Sequence, residues 1–121
     1  MKAVLLISHG SRFPETEQEV KGFVERLKKQ SNIPIIEYAF LEIAHPSIPE
    51  GMDICVKKGA SEVTVLLNFL NAGKHVDEDI PRIVEEASRK YAGVTFAITP
   101  PIGKHHGIVQ LFLDMIENSG Q

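Results

Sequence analysis

Tryptophan is absent from this chain, and aromatic residues make up only 7% of it. Cysteine occurs once, at Cys55, so no internal disulfide and no cysteine-rich zinc cage can form. Neither charge sign dominates. The formal net charge of −3 offers no electrostatic footprint for nucleic acid. Long apolar runs are missing too. The stretch Ala3–Ile7 behind Lys2 is shorter than the apolar core of a signal peptide or a membrane span. No CxxC, HExxH or calcium-loop pattern occurs. Gly73-Lys74 and Gly103-Lys104 are not followed by Ser or Thr, which excludes a P-loop. A cytoplasmic protein of one domain, residues 1–121, is the expectation, with no nucleic acid and no membrane among its partners.

What the chain does have is ordinary globular content, 43% hydrophobic and 24% charged, and an unusual placement of its five histidines. Apolar runs at Ala3–Ile7, Ile35–Leu41, Val63–Leu70 and Val94–Ile98 read as strands. Each is followed within a few residues by histidine: His9, His45, His75 and the pair His105–His106. Helical spacing fills the gaps. Val20, Phe23, Val24 and Leu27 form one apolar stripe, and Ile80, Ile83, Val84 and Ala87 another. Ser47-x-x-Glu50 reads as a capping box for a helix reaching about Lys58 and stopping at Gly59. A last helix carries Ile108, Leu111, Phe112, Met115 and Ile116. The alternation predicts an α/β fold, a single four-stranded parallel sheet with helices on both faces. In the common doubly wound order, 2-1-3-4, the chain reverses between strands 1 and 3 and a crevice opens there. His9 and His75 then face each other across it. His45 stands one strand out, and His105 and His106 stand on the far side.

Two loops carry the expected chemistry. Ser8-His9-Gly10-Ser11-Arg12 presents His9 at the sheet edge, with Arg12 available to a carboxylate or phosphate. Leu70-Asn71-Ala72-Gly73-Lys74-His75 allows a tight turn at Gly73 and sets a cation beside His75. Glu42 and His45 are candidates for a third ligand or a substrate contact. Two facing imidazoles leave a coordination sphere incomplete, which suits a borderline divalent ion that is handed on. His105 and His106, being adjacent, are expected to point in different directions and to serve a stiff loop. Cys55, beside Met52 and Val56, is expected in the core.

The motifs also resemble a known family. Ser-His-Gly-Ser-Arg follows strand 1, and Ala-Phe-Leu-Glu-x-x-x-Pro-Ser-Ile spans the end of strand 2. Leu-x-x-Gly-x-His-Val-x-x-Asp-Ile-Pro follows strand 3, and Pro-x-Ile-Gly-x-His follows strand 4. In this order they resemble the small archaeal sirohydrochlorin cobaltochelatases, class II chelatases that also include nickel and iron chelatases. The resemblance covers essentially the whole chain. It implies insertion of a divalent metal, Co²⁺ or Ni²⁺, into sirohydrochlorin as a substrate, with no tightly bound cofactor. It implies His9 as metal ligand and proton acceptor and His75 as second ligand. Position 45 and Leu70–Lys74 would contact the tetrapyrrole. Many relatives carry an acidic residue where His45 stands. Because one short sheet gives a shallow crevice for a macrocycle, a homodimer is expected, with Phe13 or Leu70 near the join. Two other readings compete. One is a metal carrier without chelatase activity, and the other a phosphoryl-transfer enzyme with His9 as nucleophile.

Overall fold

The computed structural model describes residues 1–120. Four strands form one parallel sheet: β1 (Lys2–Ser8), β2 (Ile35–Phe40), β3 (Glu62–Leu67) and β4 (Thr95–Ile98). Their order is β2-β1-β3-β4, as the alternating pattern predicts. The helices are α1 (Pro14–Gln30), α2 (Ile48–Lys57), α3 (Ile80–Lys90) and α4 (Ile108–Glu117). A π turn, His75–Asp79, leads into α3, and a short 3-10 turn, Ile102–Lys104, precedes α4.

The core follows from strand periodicity. Odd-numbered side chains of β1 and β3, Leu5, Ile7, Val63, Val65 and Leu67, pack with Ile48, Met52 and Cys55 of α2 and with Ile80 and Val84 of α3. Cys55 is fully buried among them, and burial pushes its thiol up to about 12. The opposite face carries Leu6, Ile36 and Phe40 against Val20 and Val24 of α1. Tyr38 donates a hydrogen bond to Glu17 of α1 at 2.8 Å, and burial followed by that contact raises its phenol to about 12. Tyr91 likewise donates to Asp53 at 2.9 Å, tying the end of α3 to α2.

Two differences from the sequence pattern matter. β3 ends at Leu67, three residues before the apolar run does. Its neighbour β1 ends at Ser8, and Asn68 turns its side chain to donate to Ser8 Oγ at 3.0 Å. Phe69 and Leu70 therefore leave the ladder and enter the loop. Second, α4 forms where its periodicity predicts but buries none of its residues. Its apolar stripe does not join the core of this chain.

Glycine gives two opposite tests of the packing. A Cβ on Gly51 would lie 2.8 Å from the Ala39 Cβ and 2.9 Å from a Leu5 methyl, so α2 sits on the sheet at glycine distance. A Cβ on Gly22, on the exposed side of α1, meets nothing within 4 Å. Gly51→Ala is expected to destabilise by about 1–3 kcal/mol through overpacking. Gly22→Ala is expected to stabilise by about 0.5–1 kcal/mol through unfolded-state entropy and helix propensity. Urea unfolding of the two variants checks both signs.

Candidate functional site

The carboxyl ends of all four strands lie on one edge, and the reversal between β1 and β3 falls at its centre. His9 follows β1 directly. Its ring centroid is 5.9 Å from that of His75, on the connection after β3, at an interplanar angle of 60°. Residues sixty-six positions apart thus form a pair at the expected place. Metal–imidazole bonds are about 2.1 Å long, so two rings that share one ion have centroids roughly 5–6 Å apart. The observed spacing falls within that range. The two side chains are 58% and 49% exposed, so a ligand approaches from solvent. Phe69 places an edge-on ring 6.0 Å from that of His9.

Each imidazole is backed by a carboxylate. His75 Nδ1 is 2.7 Å from Asp79 Oδ2. A carboxylate only accepts, so Nδ1 carries the proton and Nε2 is left with a free lone pair. The hydrogen bond from His75, and after it Arg82, holds the Asp79 carboxyl below its usual range. The π turn puts the two side chains on one face, four residues apart. Glu42 Oε1 lies 3.6 Å from His9 Nε2. Sequence reasoning named Glu42 as a site candidate but missed Asp79. The His75-x-x-x-Asp79 spacing was the available signal.

Backbone contacts lock these loops together. Leu41 and Glu42 donate from their backbone N–H groups to the carbonyls of Ser8 and His9, at 2.9 and 3.1 Å. Gly10, at φ 110°, lies so close that a Cβ there would stand 1.8 Å from the Glu42 carbonyl oxygen. Glu42 is held by a tight turn, its carbonyl accepting from Ala44 N–H at 2.8 Å, with Ile43 at φ 72°. That conformation costs a β-branched residue about 1–3 kcal/mol, three residues past the end of β2 at Phe40. On the other side Gly103 donates to the Phe69 carbonyl at 3.1 Å. A Cβ on Gly103 would stand 1.7 Å from the Leu70 carbonyl oxygen.

The remaining candidates take different places. Leu70, Asn71, Ala72, Gly73 and Lys74 form an exposed rim beside His75. Arg12 is exposed and, like Lys74, makes no ion pair with any described residue. His45 takes no part in the His9–His75 pair. Its Nδ1 is 2.8 Å from Glu50 Oε1, which also accepts from Ser47 N–H at 2.7 Å and completes the predicted capping box. His105 and His106 do not diverge as expected. Their rings stack at 4.2 Å and 27°, because Gly107 N–H donates to His105 Nδ1 at 2.8 Å and turns that ring back along the chain. Among the described residues no group of three or more His, Cys, Asp or Glu side chains gathers as a metal cage. No helix among them is long and apolar enough to cross a membrane.

Comparison with known proteins agrees with this architecture. Residues 3–119 match the CbiX family model. The chain belongs to the CbiX family. It is 34% identical to the sirohydrochlorin cobaltochelatase of Sulfolobus acidocaldarius, over 98% of this chain and 93% of that protein. It is also 34% identical to the chloroplastic sirohydrochlorin ferrochelatase of Arabidopsis thaliana, over 95% of this chain but 51% of that protein. The fold matches the cobalt complex of the sirohydrochlorin chelatase SirB from Bacillus subtilis subspecies spizizenii. The TM-score is 0.86 at 31% identity, covering 97% of this chain and 50% of SirB. The chain spans between 39% and 51% of the length of several curated relatives that it matches.

The cap gives a pH test with a definite sign. Ser47 N–H first, and then His45, lower the Glu50 carboxyl from 4.5 to about 2. A carboxyl lowered on folding stabilises fully above its unfolded value, and the contribution is lost as pH falls through the folded one. Wild-type thermal stability should therefore decline between about pH 4.5 and pH 2, and part of that decline should vanish in Glu50→Gln. Melts followed by circular dichroism across that range check it.

Proposed function

We propose that this chain inserts a divalent metal ion into sirohydrochlorin. Co²⁺ is the expected substrate ion, and Ni²⁺ suits the same two imidazoles. The observation that carries the reading is the His9–His75 pair at the sheet's switch point. Kinship with sirohydrochlorin chelatases of both full and double length supports it. Insertion replaces two pyrrole N–H protons by one M²⁺, so the site must hold an ion loosely and accept protons. His75 is oriented by Asp79 as a ligand through Nε2. His9 serves as ligand and as proton acceptor, with Glu42 placed to stabilise the imidazolium that results. The two rings leave further coordination positions open, and the ring nitrogens of the tetrapyrrole would take them.

The macrocycle is rich in carboxylates and has a broad apolar face. Arg12 and Lys74 are free to meet the carboxylates, and the Leu70–Lys74 rim with Phe69 supplies apolar surface. His45, at the start of α2, would meet the periphery of the ring through its Nε2. We place the enzyme in the cytoplasm as a single chelatase domain over residues 1–121. Its one cysteine is a buried thiol, which agrees with a reducing compartment. We further propose that it acts as a homodimer, a second copy taking the part that the other half plays in relatives of twice the length.

Mixing the protein with metal-free sirohydrochlorin and Co²⁺ tests the reaction, because insertion changes the absorption spectrum. A metal carrier would bind the ion and leave the spectrum of the tetrapyrrole unchanged. His9→Ala is expected to slow insertion by ~10²–10⁴, the usual loss for a general base. Near-wild-type turnover by that variant would remove His9 from the mechanism. In calorimetric titrations His75→Ala should lose most Co²⁺ affinity, and Asp79→Asn should lose about 10–100-fold through misorientation of His75. Unchanged affinity in both would place the ion elsewhere.

A further inference from the structure

The histidines on this sheet edge are not set alike. His75 Nδ1 faces the Asp79 carboxylate, so its proton points inward and its Nε2 lone pair outward. His105, in the loop after β4, faces the opposite kind of partner. Its Nδ1 is 2.8 Å from the backbone N of Gly107, whose N–H can only donate. Nδ1 therefore keeps its lone pair for that bond, and the proton of the neutral ring sits on Nε2. The outward atom of His105 is a hydrogen-bond donor, with no lone pair for a metal ion.

That donor is held firmly although the residue is exposed. The His105 backbone N–H donates to the Ile102 carbonyl at 3.0 Å, and its own carbonyl accepts from Ile108 N–H at 3.1 Å. His106 covers one face of the ring. Gly107 leaves the ring its room: a Cβ there would lie 3.1 Å from Nδ1 and 3.3 Å from Cε1. The loop is pinned to the site where Gly103 N–H meets the Phe69 carbonyl. Lys104, next in the chain, is exposed and makes no ion pair with any described residue.

We propose that this loop holds a carboxylate arm of the tetrapyrrole, with His105 donating from Nε2 and Lys104 supplying the charge. The proposal rests on the sirohydrochlorin reading above and adds a contact to it. Position supports it. Neighbouring strands lie about 4.8 Å apart, so the exit of β4 stands roughly 5 Å from that of β3 and roughly 10 Å from that of β1. A macrocycle centred over the His9–His75 pair carries its acidic arms at its margin, and this loop stands at that margin. His45, past the β2 exit, has the matching place on the other side but the opposite tautomer, because its Nδ1 faces Glu50. Its outward lone pair offers nothing to an ionised carboxylate. The two margins therefore select different groups, and the macrocycle is oriented as well as held. A donor fixed before the ligand arrives loses little freedom when it binds.

The tautomer is read by ¹⁵N NMR of the full chain at neutral pH. His105 should carry its proton on Nε2, and the opposite tautomer overturns the assignment. The arm is read by titrating metal-free sirohydrochlorin into the wild type and into His105→Asn. Asn Oδ1 keeps the Gly107 N–H in an Asx turn, while its amide nitrogen falls short of the Nε2 position. The dissociation constant should rise about tenfold, the low end for a hydrogen bond to a charged group. In the insertion assay the loss should fall on KM rather than on kcat. Melting temperature and Co²⁺ affinity should match the wild type. Undiminished sirohydrochlorin affinity in His105→Asn makes His105 a loop residue only and overturns the proposal. Lost Co²⁺ affinity makes it a metal ligand and overturns it too. Weakened binding by His105→Asn, with no insertion by the wild type, refutes the insertion reading alone. Insertion by both proteins at equal affinity refutes the carboxylate contact alone, and a wild-type chain that does not bind sirohydrochlorin overturns both.

Discussion

β1 is hydrogen-bonded along almost its whole length to β2 on one side and to β3 on the other, all three strands running the same way. Everything at the site depends on that arrangement. Parallel pairing requires crossovers, so the chain must leave the sheet at the carboxyl end of every strand and return at the amino end. Because β1 is central, its exit loop is flanked by those of β2 and β3. His9 therefore meets Glu42 from one side and His75 from the other. No long-range ion pair or disulfide is needed to gather them.

The loops themselves are made rigid at very small distances. Gly10 against the Glu42 carbonyl and Gly103 against the Leu70 carbonyl leave no room for any side chain carbon. The strained Ile43 turn feeds the first of these contacts. Strain of this kind persists only where the surroundings over-determine it. Here the surroundings are the two backbone hydrogen bonds from Leu41 and Glu42 to the β1 exit. The result is a half-open site on a stiff frame, with exposed imidazoles whose positions are nonetheless set. A pair of imidazoles fixed in this way would suit the reversible ion binding that the proposed reaction needs, without the full cage that would trap the ion.

Strand order, helix placement and the His9–His75 pairing were all legible in the sequence. Each follows from periodicity and from a topological rule that needs no knowledge of side-chain contacts. The Ser47–Glu50 box was legible because capping is local. What escaped was set by tertiary detail. The Asp79 partner depended on a π turn that pattern reading does not distinguish from a loop. The stacking of His105 on His106 depended on a backbone donor at Gly107. The early end of β3 depended on where its neighbour stopped. The α4 stripe was correctly periodic, yet periodicity marks only an apolar face and does not say what surface it meets.

That last point bears on the proposed reaction. A macrocycle must be held over the His9–His75 pair while its protons leave, and one edge of one four-stranded sheet offers a rim and no opposing wall. The same loop that roots α4, Pro101 to Gly107, is clamped through Gly103 to the rim that begins at Leu70. The root of α4 and the rim of the site are thus joined through close backbone contacts. The exposed apolar face of α4 stands at the other end of that clamp.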